Sequence, residues 1–281
     1  MNNDIRFTDR DHLKNEQYRD GGNLRSRISL HEQYSANPTP WHTWVFDQFD
    51  LPPSAAILEV GCGPGLLWLE NLARVPEGWR MILSDLSPGM VHEARHNLRD
   101  AANIAYLCFD IGRAPLRPTA FNAVIANHML YHVPDVGRAL ATIHGLLKPG
   151  GVLYAATNGR THLQELAGFV SQARGETTPE ADNLFQRSAR NFTLQSGAQQ
   201  LLAHFAAVEL RAYPDSLEID DVEAIIRYVQ SSALFGLSAA NLDRLRALLQ
   251  EEIRAHGAVT ITKESGLFIA RKVARRDDSS L

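Results

Sequence analysis

The segment ILEVGCGPG, residues 57–65, decides the fold class. Three of its first four residues are apolar, and glycines follow at positions 61, 63 and 65. A short apolar run that ends in closely spaced glycines predicts a buried strand, a tight turn and the start of a helix. Such a turn presents free backbone N–H groups and the positive end of a helix dipole to a ligand. On its own, however, it fits any nucleotide-like ligand.

Apolar runs and helical segments alternate on both sides of this segment, which predicts parallel strands joined by crossover helices. Ser87 followed by Pro88 predicts the start of one helix, and Asp135 predicts the start of another. Further helices are predicted over 65–73, 161–173, 195–205, 222–232 and 241–256. The predicted strands are Ala56–Val60, Arg80–Ser84, Ile104–Phe109, Phe121–Ala126, Val152–Thr157, Ala207–Tyr213 and one within Val259–Lys272. Together these elements predict an α/β protein with a seven-stranded sheet.

Composition limits the classes of partner. The 281 residues are 44% hydrophobic and 21% charged, which is ordinary for a soluble globular protein. A net charge of −4 argues against a large nucleic-acid-binding face. No apolar stretch reaches the length of a membrane span, and the first residues lack a signal-peptide core. We therefore predict a cytoplasmic protein that binds neither nucleic acid nor membrane.

Carboxylates at the ends of the first three predicted strands narrow the choice of ligand. Glu59 precedes the glycines, Asp85 follows Gly61 by 24 positions, and Asp110 follows Asp85 by 25. A carboxylate at the tip of the second strand can accept both ribose hydroxyls. Three carboxylates suit a cationic adenosyl ligand better than an anionic pyrophosphate, although Glu59 and Asp110 could also be surface residues at loop starts.

The glycine spacing points the same way. A nicotinamide-binding turn has the pattern G-x-G-x-x-G, which would require a glycine at position 66. This chain has Leu66 there, and its third glycine comes one position earlier, at Gly65.

The combination of motifs resembles the class I S-adenosylmethionine-dependent methyltransferases, particularly the small-molecule branch related to ubiquinone and menaquinone biosynthesis. Residues 57–65 resemble the first motif of that family, 83–87 (LSDLS) the second and 109–110 the third. Residues 124–133 (VIANHMLYHV) resemble the fourth, and 146–152 (LLKPGGV) resemble the turn before the fifth strand. The resemblance covers about residues 50–160. It implies a Rossmann-like sheet that is mostly parallel with its last strand antiparallel, and helices on both faces.

The resemblance also implies a function and a set of contacts. The expected function is methyl transfer from S-adenosyl-L-methionine to a small organic acceptor, with a quinone-like compound or a natural product as candidates. A NAD-dependent oxidoreductase and a non-catalytic cofactor-binding protein are the alternatives. Leu86 and Ile111 would flank the adenine, and Arg27 and Tyr18 would reach the cofactor from the N-terminal segment. The remaining expected cofactor contacts are Glu59, Gly61, Gly63, Asp85, Asp110 and the backbone near Asn127.

The acceptor side is less well specified. Methyltransferases that act on base amines typically carry an Asn/Asp-Pro-Pro-aromatic run in the fourth motif, which this chain lacks. His132 or His128 is a candidate general base, with His132 preferred. The two histidines would share a helix face if their segment were helical, and structural roles stay open for both. A two-histidine metal site is disfavoured because no third ligand is near. Tyr34 is the third catalytic candidate.

These patterns divide the chain into five predicted parts. Residues 1–50 are predicted to form an N-terminal helical lid, although for Trp41, Trp44 and Phe46 simple packing on the sheet is favoured. Residues 51–160 form the cofactor-binding core, 161–205 a helical cap, 206–272 the closing strands with inserted helices, and 273–281 a tail. We predict a monomer or homodimer.

Overall fold

A single mixed sheet organises the chain. The computed structural model describes residues 8–9, 22–176, 191–231 and 235–274, and its strands follow the order β3-β2-β1-β4-β5-β7-β6. Strands β1 to β5 pair in parallel, whereas β7 runs antiparallel to both β5 and β6. The strands are β1 Ala56–Val60, β2 Arg80–Asp85, β3 Ile104–Cys108, β4 Phe121–Asn127, β5 Leu147–Asn158, β6 Ala207–Ile219 and β7 Val259–Arg271. The predicted seven-stranded, mostly parallel sheet is confirmed.

Helices cover both faces of this sheet. They are α1 Gly22–Tyr34, α2 Trp41–Asp47, α3 Leu66–Leu69, α4 Pro88–Asn97, α5 Val136–Leu146, α6 Gln164–Arg174, α7 Leu194–Leu202, α8 Val222–Ser231 and α9 Ala239–His256. Both predicted caps are confirmed. The Ser87 hydroxyl accepts the Met90 N–H at the start of α4, and the Asp135 carboxylate accepts the Arg138 N–H at the start of α5. Each cap satisfies a donor that has no partner within its helix.

Helix α3 is shorter than the helix predicted over 65–73. It ends at Leu69, and a short 3-10 turn, Leu72–Arg74, follows. The Asn71 side-chain amide donates to the Leu67 carbonyl at 2.8 Å and to the His42 carbonyl at 3.1 Å. Because the side chain takes up a carbonyl that the next helical turn would use, the helix does not continue.

Aromatic packing holds helix α2 on one face of the sheet. Phe46 is buried there, and Trp41 and Trp44 pack partly buried against the same cluster. The packing predicted for these three residues is therefore confirmed. A second cluster on the opposite face contains Leu140 and Ile143 of α5.

Strands β6 and β7 continue beyond the rest of the sheet. Strand β5 pairs with β7 only as far as Ser265, whereas β6 and β7 stay paired to Ile219 and Val259. The predicted sixth strand, Ala207–Tyr213, is therefore too short. Pro214 does not end it, because β6 is an edge strand, where proline is tolerated.

The two-stranded extension, residues 214–219 and 259–264, carries a helical cap. Helix α1 packs on α8, and α6 packs on α9 and β7. Leu30, Leu166, Ile225 and Leu249 are buried together in this cap, apart from the clusters on the sheet. Among the described residues, no helix has the length and apolarity needed to cross a bilayer.

Candidate active site

A cavity of about 720 Å³ opens at the carboxyl ends of strands β1 to β5. Parallel α/β sheets bind their ligands at this edge, where the strand order reverses. Here the reversal falls between β1 and β4. The glycine turn lines one half of the cavity, and the cap lines the other.

The glycine turn has the backbone conformation that its composition predicts. Gly61, Gly63 and Gly65 have φ values of +67°, +53° and +78°, which side chains disfavour. A Cβ on Gly61 would also lie 2.6 Å from the Cβ of Met129. Glycine is therefore required at position 61 both by the left-handed turn and by its neighbour.

Asp85 is held rigidly beside this turn. Its carboxylate accepts the Gly63 N–H at 3.0 Å and the Ser87 N–H at 2.8 Å. Burial raises the pKa of the Asp85 carboxyl, and these backbone hydrogen bonds oppose the rise. The bonds fix the side chain in the cavity wall, where it can meet hydroxyl groups of a ligand.

Glu59 is the most buried carboxyl group of the cavity wall. It is 2% exposed, and the Trp68 indole N–H donates to it at 2.6 Å. Burial raises its pKa to about 8, since the hydrogen bond from Trp68 opposes desolvation only in part and Asp85 adds repulsion. Glu59 is therefore mostly protonated at neutral pH while no cation lies beside it.

The third carboxylate, Asp110, follows strand β3. It accepts the Gly112 N–H at 2.9 Å and so caps the short turn Ile111–Arg113. At the end of β4, the Asn127 side-chain oxygen accepts the Trp41 indole N–H at 3.3 Å. The structure thus brings eight of the predicted cofactor residues to one cavity: Glu59, Gly61, Gly63, Asp85, Leu86, Asp110, Ile111 and Asn127.

Two further predicted cofactor residues cannot be placed in the site. Tyr18 lies outside the described residues. Arg27 belongs to helix α1, but its side chain is outside what the structure describes. Both stay predictions.

His128 and His132 both line the cavity, but they do not share a helix face as predicted. His128 has a φ of +54°, and its backbone N–H donates to the Ala156 carbonyl on the neighbouring strand at 3.2 Å. The chain therefore continues its contact with β5 at His128 instead of starting a helix. Only a short 3-10 turn, Leu130–His132, follows.

The surroundings of the two histidines separate their possible roles. Burial lowers the pKa of His128 to about 3, and the nearby Lys263 adds to this effect. A base with so low a pKa removes a proton poorly at neutral pH. His132 is half-buried at the cavity wall, with its ring centroid 4.5 Å from that of Tyr131. The placement favours His132 over His128 as a base.

Tyr34 is not among the residues that line the cavity. Its ring packs partly buried against the cap cluster. Burial raises the pKa of its hydroxyl, and the charges of Asp221 and Asp220 raise it further. This position gives no support to the predicted catalytic role of Tyr34.

The sequence predicted a cap but did not point to the residues that line its side of the cavity, among them His162, Tyr213, Lys263 and Ser265. One signal was present in strand β7. Val259, Ile261, Lys263 and Ser265 alternate with more exposed residues, so a lysine occupies an inward position of a half-buried strand. A charged residue at such a position indicates a buried partner or a ligand.

Comparisons with known proteins agree with the fold. A methyltransferase domain family matches residues 58–155. A ubiquinone biosynthesis O-methyltransferase of Xanthomonas campestris pv. campestris (strain B100) is 40% identical over 111 residues, which cover 39% of this chain and 45% of that protein. The chain thus spans less than half the length of the curated relatives it matches.

Solved structures resemble a larger share of the chain. The phosphoethanolamine N-methyltransferase 2 of Haemonchus contortus, in complex with S-adenosyl-L-methionine, has a TM-score of 0.60 at 18% identity and covers 94% of this chain and 60% of that one. The [4+2]-cyclase SpnF has a TM-score of 0.55 at 17% identity and covers 90% and 96%. At these identities the likeness shows the fold alone.

The fold and the site define a Rossmann-like α/β protein with its cavity at the switch point of the sheet. Residues 58–155 match a methyltransferase domain, in agreement with the motifs in that part of the chain. None of these matches supports the alternative of a nicotinamide-dependent oxidoreductase.

Proposed function

We propose that this protein transfers a methyl group from S-adenosyl-L-methionine to a small organic acceptor. The observation that carries the proposal is the set of three carboxylates, Glu59, Asp85 and Asp110, at the ends of three adjacent strands around a glycine turn. This set fits a ligand with a ribose, an exocyclic amine and two positive charges. It would repel a pyrophosphate.

The residues present fit each part of that cofactor. Asp85 would accept the ribose hydroxyls, Asp110 the adenine amine, and Leu86 and Ile111 would enclose the ring. Glu59 would face the positively charged groups. When bound, the cofactor would supply a methyl group on a sulfonium, an electrophile that is attacked in line.

The protein's own contribution is position and proton removal. Trp41 stacks on Trp44 with ring centroids 5.4 Å apart, and the Tyr213 ring meets both edge-on at 5.1 Å. Trp41 and Tyr213 also line the cavity and would keep water from an acceptor. Holding two reactants in line accounts for much of the acceleration in such displacements. His132 would accept a proton from an acidic acceptor.

Methyl transfer can be tested without knowing the acceptor. Purified protein is incubated with S-adenosylmethionine and libraries of phenols, carboxylic acids and amines, and release of S-adenosylhomocysteine is measured together with a gain of one methyl mass. We expect turnover with at least one class. Tight cofactor binding with no turnover in any class would favour the non-catalytic alternative.

The acceptor, the cellular location and the assembly belong to the proposal as well. A quinone-like or natural-product acceptor, a cytoplasmic location and a monomer or homodimer are what the sequence predicts. Light scattering of the purified protein would measure the assembly, and fractionation of cells that express it would test the location.

A further inference from the structure

The two halves of the cavity differ in charge. The glycine turn and the adjacent strand ends carry Glu59, Asp85 and Asp110. Glu70, which is bonded to His42 at 2.6 Å, and Glu32 of helix α1 also line the cavity, and their charges repel each other. The other half lies at the ends of β4 and β5 and along the extension of β7. Among the described residues of β4, β5 and β7 that line the cavity there is no carboxylate, and Lys263 supplies a cation.

Lys263 is fixed from behind by an anion. Its Nζ lies 2.6 Å from the Asp215 carboxylate and 5.3 Å from the Tyr213 ring centroid. Lys263 lines the cavity although it is 8% exposed, whereas Asp215 is absent from the lining and its side chain has no exposed surface. Lys263 therefore stands between the buried carboxylate and the cavity.

Asp215 is also fully occupied by other donors. It accepts the Ser35 hydroxyl at 2.8 Å, the Asn37 N–H at 3.0 Å and the Ser216 N–H at 2.9 Å. These bonds hold the carboxylate in place and spread its charge over several partners. The arrangement offsets the cost of burying a lysine and keeps the ammonium group at the cavity wall.

Two imidazoles near Lys263 add hydrogen-bonding capacity without adding charge. Burial lowers the pKa of His128 to about 3 and that of His162 well below its usual range, and Lys263 contributes to both effects. Each ring is therefore neutral at physiological pH and carries one N–H group. This half of the cavity thus offers one cation and neutral imidazoles, and the described strands that line it contribute no carboxylate.

We infer that this half of the cavity binds a carboxylate group of the acceptor, with Lys263 as its charge partner. The inference rests on the proposed function, because it takes the glycine-turn half as the cofactor site. A single fixed ammonium group matches a single negative charge. The acidic half would then hold the cationic cofactor and the basic half an anionic acceptor, so each half would discriminate against the other ligand.

Pairs of probes test this inference directly. Protein saturated with S-adenosylhomocysteine is titrated with benzoate, 4-hydroxybenzoate and cinnamate and with the primary amide of each acid. We expect at least one acid to bind about tenfold or more tightly than its amide, because only the acid forms a charge-assisted bond. Lys263→Met should abolish the preference, and Lys263→Arg should keep most of it.

Matched variants keep the test interpretable. Lys148→Met removes a lysine that bonds Asn122 outside the cavity, and should leave the preference unchanged. Lys263→Met leaves Asp215 buried without its cation, so the double variant Lys263→Met/Asp215→Asn serves if the single one does not fold. Binding of S-adenosylhomocysteine to each variant shows that the variant is folded.

Equal affinity for acid and amide in the wild type, or no binding of any acid at millimolar concentration, would overturn the inference. A preference that survives in the folded double variant would do the same. None of these results would touch the proposed function, which is tested separately by the binding of S-adenosylhomocysteine and by methyl-transfer turnover.

Discussion

Protonation of Glu59 should control cofactor affinity. Its carboxyl group has a pKa of about 8, because burial and the nearby Asp85 raise the pKa more than the hydrogen bond from the Trp68 indole lowers it. A ligand cation placed against it favours the charged form, so the pKa falls when the ligand binds. We therefore expect S-adenosylhomocysteine, which keeps the α-ammonium group, to bind more tightly as pH rises toward 8.

The size of the effect follows from the pKa. Well below it, affinity should fall about tenfold for each unit of pH, because binding must first remove a proton. With half of the carboxyl groups ionised at about pH 8 and roughly 1% at about pH 6, the dissociation constant should rise about fiftyfold between them. Close to one proton should be released per ligand at about pH 6.

Calorimetry measures both quantities. S-adenosylhomocysteine is titrated at about pH 6, 7 and 8, each time in two buffers that differ in ionisation enthalpy, and the heat difference gives the protons released. Glu59→Gln should remove most of the pH dependence. The exposed Glu77 lies outside the cavity, so Glu77→Gln should behave as the wild type.

A flat affinity between about pH 6 and pH 8 in the wild type, with no proton release, would refute this reasoning. An unchanged slope in Glu59→Gln would refute it equally, since another group would then be titrating.

Four further outcomes are expected. Without added ligand, Glu59→Gln should raise the free energy of unfolding by about 2–3 kcal/mol near pH 7, measured by urea denaturation. The sign follows from the raised pKa of Glu59. The stability that protonated Glu59 contributes is complete below the unfolded pKa of about 4.5 and is lost as pH rises through about 8. The stability advantage of Glu59→Gln over the wild type should therefore vanish in acid. Asp85→Asn should weaken S-adenosylhomocysteine binding by about 1–3 kcal/mol in calorimetry, while the exposed Asp100→Asn should not. Gly61→Ala should lower thermal stability by about 1–3 kcal/mol, because its Cβ meets Met129 at positive φ; an unchanged Tm would contradict the geometry. With an acidic acceptor, His132→Ala should lower kcat by about 100-fold and change S-adenosylhomocysteine affinity by less than about threefold, and an unchanged kcat would exclude His132 as the base.

The residues of the glycine-turn half of the cavity could be predicted because short stretches of sequence specify them. Residues 57–65 specify a strand, a turn and a helix start within nine positions, and Asp85 and Asp110 each end a recognisable apolar run. Parallel strands bring their ends to one edge, so three residues far apart in sequence could be placed together without knowing any contact. Ser87 and Asp135 were predictable for the same reason, since a capping side chain bonds its own helix.

The residues of the other half, around Lys263, could not be predicted because contacts between distant parts of the chain bring them together. Lys263 and Asp215 meet only through the register of β6 on β7, where Asp215 pairs with Lys263. The length of β6 could not be predicted either, because Pro214 indicates the end of a strand unless the strand is known to lie at the edge of its sheet. The backbone at His128 was not predictable for a related reason. Its N–H donates to the Ala156 carbonyl, a contact that no sequence pattern encodes, and the helical spacing of the two histidines does not lead to a helix.

One titration tests the central proposal most directly. The wild-type protein and Asp85→Asn are titrated with S-adenosylhomocysteine and, separately, with NADH under the same conditions. We expect S-adenosylhomocysteine to bind the wild type with one site per chain, to bind the variant measurably more weakly, and NADH not to compete. Binding of NADH with no binding of S-adenosylhomocysteine at high micromolar concentration would contradict the proposed function.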